Sequence, residues 1–362
     1  MSGGKSGETG RRLVPVEILL DIEKRFTGFP VPTGPFDPST ASQQLLRTYG
    51  LPPRPDANRQ PLIRETWDKG FGKPLKLQAF TVQPNLVEDT QYRLYRDQVT
   101  DMSFEGNHIE TSSNWSGAYI TANQDRRFLQ IWGYWTIPNY LNLPPAVMQG
   151  PPGIPYVCAN WIGLDGQRLY LDSSLPQMGT VSIRQPDGTT TAQSWMQWWA
   201  RGVAGSAPVP IGLAVNPGNQ VFCVLTAWDP QTVIGVMVNL STATGTVVMG
   251  TSPTVTLPDG SMVHPDIAGS TAEWIMERPR VVGQTMIYNF PDYGETEFDF
   301  CLAVESDDVD IFALFNGIPQ QLQGARRIRM FQTLTDPART AFISMPRKLN
   351  DTAIRVKYGG FA

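Results

Sequence analysis

The stretch Gly269-Ser-Thr-Ala-Glu-Trp-Ile-Met-Glu-Arg-Pro279 decides how this 362-residue chain is read. Its side chains alternate with the period of a strand. Glu273, Ile275 and Glu277 fall on one face, and Ala272, Trp274 and Met276 on the other. A carboxylate beside an apolar residue on a half-buried face is costly when ionised. Burial there would raise its pKa and suit it to proton transfer. An exposed glutamate on the solvent side of an edge strand fits the same pattern.

The sequence around this stretch has the same texture. From Ser112 onward, short strand-like runs alternate with turn residues: Trp115–Thr121, Phe128–Ile137, Val157–Leu164, Thr180–Gln185, Ser194–Trp199, Gln220–Ala227, Val233–Leu240 and Glu295–Val304. The chain holds 33 Gly and 31 Pro with ten Trp, and few long apolar helical periods. That combination predicts an all-β body, an antiparallel sandwich or barrel. Ala353-Ile-Arg-Val-Lys-Tyr358 alternates like a final strand.

Residues 1–110 read as an N-terminal extension, either a pro-segment over a cleft or a structural arm, and residues 111–362 as the β domain. Val16–Phe26 has helical spacing, and Ser39–Gly50 reads as a short capped helix ended by Gly50 and Pro52-Pro53. Residues 51–108 show little periodicity. Residues 1–108 carry 14 Lys/Arg and 13 Asp/Glu, whereas the remaining 254 positions carry 15 and 20. A sparsely charged body fits a large sheet core. The tail from Ala325 has eight Lys/Arg against two Asp/Glu, which reads as a solvated strand face.

Composition excludes much chemistry. A net charge of −4 implies no nucleic-acid surface. No run of about 18 apolar residues exists, so no membrane helix is expected. The amino terminus is a poor signal peptide, and the compartment stays open. Cys158, Cys223 and Cys301 make no disulfide framework and read as small core residues. The two histidines, His108 and His264, lie far from any Gly-x-Ser-x-Gly elbow, so a Ser–His or Cys–His centre is not expected. No zinc-ligand spacing and no phosphate loop occur, so neither metal nor cofactor is expected.

What remains is a carboxylate–carboxamide pairing, and here the sequence resembles the eqolisins, or glutamic peptidases. The resemblance begins at Ser113-Asn-Trp115-Ser-Gly117 and continues through Gly133-Tyr-Trp135-Thr-Ile-Pro138. It then runs through Trp161-Ile-Gly-Leu-Asp165-Gly166, Gln177-Met-Gly179 and Trp195-Met-Gln197-Trp198. Ala272-Glu273-Trp-Ile-Met-Glu277 follows, with Asn289-Phe290 and Phe298-x-Phe300 after it.

The resemblance covers roughly residues 112–305. It implies a lectin-like sandwich of two antiparallel sheets with a substrate cleft on one face. It also implies an endopeptidase, acid-favoured and acting on polypeptide, and an extracellular setting. Carried over position by position, Glu273 and Gln177 take the catalytic places. Trp115, Trp161, Asp165 and Gln197 take substrate-binding places.

Two positions depart from the family pattern. Gln197 stands where a glutamate is usual, and Met178 replaces a threonine. Glu277 shares the parity of Glu273 but sits beside Arg278 and Pro279 at the strand end, so Glu273 is preferred. A catalytically inactive lectin-like or peptide-binding sandwich is the alternative, since an aromatic-lined cleft serves either.

Overall fold

The computed structural model describes residues 16–82, 92–93, 109–150, 152–167, 174–200, 203, 207–281, 287–307, 316–334 and 340–359. His108 lies outside the described residues. Three helices come first: α1 (Val16–Arg25), α2 (Gln43–Thr48) and α3 (Pro61–Phe71). The early strands are β1 (Phe26–Gly28), β2 (Lys76–Gln78), β3 (Tyr92–Arg93) and β4 (Ile109–Ser112). Then come β5 (Trp115–Thr121), β6 (Arg127–Thr136), β7 (Tyr156–Leu164), β8 (Ser174–Arg184), β9 (Thr190–Ala200), β10 (Val209–Pro210), β11 (Gln220–Asp229), β12 (Thr232–Asn239) and β13 (Thr244–Thr251). The last are β14 (Val255–Thr256), β15 (Met262–Val263), β16 (Thr271–Glu277), β17 (Arg280–Val281), β18 (Glu295–Ser306), β19 (Ile318–Gln320), β20 (Arg326–Thr333), β21 (Thr340–Lys348) and β22 (Ile354–Tyr358).

Pairing builds two sheets. The first runs β10-β9-β8-β7-β16-β5-β20, with β4 parallel to β20 at the far side. The second runs β21-β22-β18-β6-β11-β12-β13, and β1 and β2 close its edge. The β20–β21 hairpin crosses between them. Apart from β4–β20 and β2–β13, these pairs are antiparallel, so the expected all-β sandwich is the observed architecture.

Alternation explains the layers. The inner faces contribute Ala118, Ile162, Met178, Met196, Trp198 and Trp274 from the first sheet. Ile131, Trp135, Cys223, Met237, Phe298 and Val356 come from the second. All three cysteines are buried and free, and burial pushes their thiols up in pKa.

The extension covers the outer face of the second sheet. Residues 51–108 look unpatterned in sequence, yet α3 forms there, with Pro61 in the first turn. Ile63, Trp67 and Phe71 recur on one face and pack on Trp132 and Phe222, with Phe71 and Phe222 ring centroids 5.7 Å apart. Burying a side chain such as Trp67 contributes about 3 kcal/mol. In α2 the hydroxyl of Ser42 caps the first turn by accepting from Leu45 N. Thus α2 and α3 lie on the side of the molecule opposite the outer face of the first sheet, while Ile22, Phe26 and Phe80 join the inner core. That outer face carries the candidate site.

Candidate active site

Cross-strand register assembles the site. Glu273 on β16 lies opposite Gly163 on β7, Gly163 opposite Gln177 on β8, and Gln177 opposite Gln197 on β9. On its other side Glu273 lies opposite Tyr119 on β5. Directly opposed residues project to the same face, so Tyr119, Glu273, Gln177 and Gln197 form one row interrupted at Gly163, where Leu175 and Trp161 close in to 3.0 Å of the missing Cβ. Glu273 and Gln177 are separated by two strand spacings, about 10 Å between backbones. They are 96 positions apart in the chain, and only the sheet brings them together.

Glycine is required where this face is crowded. A Cβ on Gly179 would lie 2.2 Å from the carbonyl oxygen of Asn160 and 2.5 Å from Cβ of Trp161. Its absence lets Trp161 on β7 and Trp195 on β9, aligned through Gly179, fill the space over β8. Trp115 packs edge-on against Trp161, with centroids 4.9 Å apart. Leu175, Ile275 and Ile328 complete an apolar bed around the row.

The polar side chains in this bed make the following bonds. Glu273 Oε1 accepts from Thr271 Oγ1 at 2.9 Å. Gln177 Nε2 donates to Gln197 Oε1 at 3.0 Å. Glu277, on the same face at the strand end, accepts from Trp161 Nε1 at 2.9 Å and from Asn114 Nδ2 at 3.3 Å. That explains why Asn114, Trp115 and Trp161 occur with the second glutamate: they lock one corner. Arg278 lies on the other parity and donates to the carbonyl of Tyr288 and to Gln332 Oε1.

Three points of the sequence reading can be placed in this geometry. Asp165, expected among the substrate-binding residues, turns its carboxylate onto the loop that feeds β16. It accepts from the backbone nitrogens of Ala268 at 2.8 Å, Gly269 at 3.1 Å and Ser270 at 2.7 Å, and from Ser270 Oγ at 2.9 Å. Its backbone sits at φ 66°, a left-handed position that aspartate tolerates. Burial raises its pKa, against the lowering effect of those bonds. Met178, next to Gln177, points into the sandwich core against Gly235, so the departure from threonine does not touch the row.

The third concerns access. Glu273, Gln177 and Gln197 are each 0% exposed, so the row is closed to solvent here rather than lining an open groove.

Sequence reasoning missed Tyr119 and Glu110. The Tyr119 hydroxyl donates to Glu110 Oε1 at 2.5 Å, and Arg326 Nη1 donates to the same oxygen at 3.3 Å. The strand parity of Tyr119 was legible, but its register against Glu273 was not. No group of three or more His, Cys, Asp or Glu suited to a metal occurs among the described residues. No helix among them is long and apolar enough to cross a membrane.

With this geometry in place, the comparison with known families becomes informative. Residues 113–334 match the Peptidase A4 family, and that span contains the complete row from Tyr119 to Glu273 together with Arg326. The chain belongs to the peptidase A4 family. It is therefore a peptidase of the glutamic type.

Among solved structures it is similar to scytalido-glutamic peptidase bound to a transition-state analogue inhibitor. The identity is 15%, covering 68% of this chain and 98% of the other, with a TM-score of 0.49. It is also similar to SCP-B, an eqolisin in complex with the tripeptide Ala-Ile-His, at 14% identity, 68% and 98% coverage and a TM-score of 0.46. Aspergilloglutamic peptidase from Aspergillus niger is another, at 16% identity, 56% and 99% coverage and a TM-score of 0.43. No sequence among curated proteins matches the chain. The A4 match begins at Ser113, after the helical arm, so the arm lies outside the shared region.

Proposed function

We propose that the chain hydrolyses peptide bonds with Glu273 as general base and Gln177 as oxyanion donor, and that the reaction is favoured in acid. One observation carries the reading: the two side chains share one face and one row, separated only by Gly163. The Glu273 carboxylate takes a proton from a water that enters with the substrate, and the water oxygen bonds to the scissile carbonyl carbon. The carbonyl oxygen gains negative charge, which the Gln177 Nε2–H group stabilises. A single such donor is worth roughly 10²–10³ in rate. As the C–N bond breaks, Glu273 returns the proton to the leaving amine. No cofactor enters these steps.

Because the row is closed, a peptide enters only after a local opening of this face. The apparent activity is scaled by the fraction of open molecules. That closure also favours a second reading, a sandwich that binds peptides without hydrolysing them.

The test is cleavage of an unfolded protein between pH 2 and 7, with the natural sequence, Glu273→Gln and Gln177→Ala compared. Activity in the first and loss of at least 100-fold in both variants is expected. Equal residual cleavage in all three refutes the assignment, and no cleavage at all favours the binding reading.

A further inference from the structure

The row of aligned residues continues past Tyr119. Arg326, the first residue of β20, lies directly opposite Tyr119, so the complete row is Arg326–Tyr119–Glu273–Gly163–Gln177–Gln197. Burial changes sharply along it. Gln197, Gln177 and Glu273 are closed to solvent and Tyr119 is nearly so, but the Arg326 side chain is 45% exposed. Arg326 is where the row meets water, and so marks the side from which a peptide approaches.

We propose that Arg326 is a specificity-determining residue that selects peptides carrying an aspartate or glutamate within about three residues of the bond placed at Glu273. The inference rests on the peptidase reading of this row. Arg326 and Glu273 are two strand spacings apart, about 10 Å, which an extended peptide spans in about three residues.

The guanidinium has five N–H donors in a planar fork suited to carboxylates. Its ion pair is with Glu110, through Nη1 at 3.3 Å. Glu110 is itself buried and accepts the short bond from Tyr119. That arrangement holds one nitrogen of the guanidinium, while the Arg326 side chain stays 45% exposed to an approaching carboxylate. Arg327 and Arg329 alternate onto the opposite face of the strand, so Arg326 is the cation that β20 presents to the row.

Tyr119 adds a wall. Its ring stands between Arg326 and Glu273 and is held by Glu110. A peptide therefore has to pass over the ring before its acidic side chain meets the arginine.

The experiment uses the full chain carrying Glu273→Gln, so that binding is read without turnover. Two labelled peptides differ only in Glu or Gln at the third residue from the central bond, and their Kd values are measured by fluorescence anisotropy at pH 6 and pH 3. The glutamate peptide is expected to bind roughly three- to tenfold more tightly at pH 6. The preference should vanish at pH 3, where a peptide carboxyl with a pKa of about 4.3 is protonated. Adding Arg326→Gln removes the preference at pH 6, and Arg326→Lys retains part of it.

Equal affinity for the two peptides, binding of neither, or a preference that survives Arg326→Gln overturns the proposal. Cleavage by the unsubstituted chain separates the two ideas. Preference without cleavage defeats only the catalytic reading, and equal cleavage of both peptides defeats only this one.

Discussion

Replacing Asp165 by asparagine tests whether the structure or the family resemblance gives that residue its role. The carboxylate holds four donors from the segment 268–270. An amide of the same shape keeps one oxygen and turns an NH₂ toward at least one backbone N–H. About two charge-assisted bonds are lost, each worth about 1.5–3 kcal/mol, and the recovered desolvation of the carboxylate offsets part of this. A net destabilisation of about 3 kcal/mol at neutral pH follows, which for a chain of this size lowers Tm by about 5 °C.

The pH dependence has a definite sign. Burial raises the pKa of Asp165 above its ordinary 3.8. The stability linked to its protonation is therefore fully present below the unfolded value and is lost as the pH rises through the folded one. The natural chain should lose that increment across this window, and Asp165→Asn should not. Urea unfolding at pH 3, 5 and 7 with peptidase assays at each pH measures both effects. Unchanged stability together with a raised KM would refute the loop-anchor argument and return Asp165 to the substrate.

Four further outcomes are expected. Glu305 is buried and accepts from Asn123 N and Nδ2, Arg126 Nη1 and Gln320 Nε2; burial pushes its pKa up, but these bonds outweigh it and hold it below the ordinary 4.5. Glu305→Gln should cost about 2–3 kcal/mol at pH 7, and the gap should close as the pH falls through the depressed value, read by denaturant midpoints. Gly179→Ala places a methyl 2.2 Å from the Asn160 carbonyl, so it should cost about 3 kcal/mol and alter near-UV dichroism as Trp161 is displaced. Gln197→Leu removes the acceptor that orients Gln177 and should lower kcat about tenfold with KM little changed; a change in KM alone would contradict that role. Trp67→Ala, on the opposite side of the molecule, should cost about 3–5 kcal/mol in unfolding experiments while leaving KM unchanged.

The legibility of the fold differed between segments for identifiable reasons. Trp115–Thr121 was readable to the residue because strand alternation and flanking turns coincide there. The start of β8 at Ser174 was not, since Ser174–Gly179 includes Pro176 and Gly179 and lacks β-branched residues. Helix α3 escaped notice because eleven residues bounded by Pro61 and Gly72 present barely three apolar repeats. It is its packing on Trp132 and Phe222 that stabilises it.

Alternation by itself determined that Glu273, Ile275 and Glu277 share a face opposite Ala272, Trp274 and Met276. It did so because a strand's period of two is a local property of the backbone. Which glutamate meets Gln177, that Asp165 turns to a loop, that Met178 faces the core and that Tyr119 and Arg326 extend the row were decided only by the tertiary structure. Those facts depend on cross-strand register, which is set by pairings between segments far apart in the chain, such as Tyr119 with Arg326, and nothing in the local sequence encodes it.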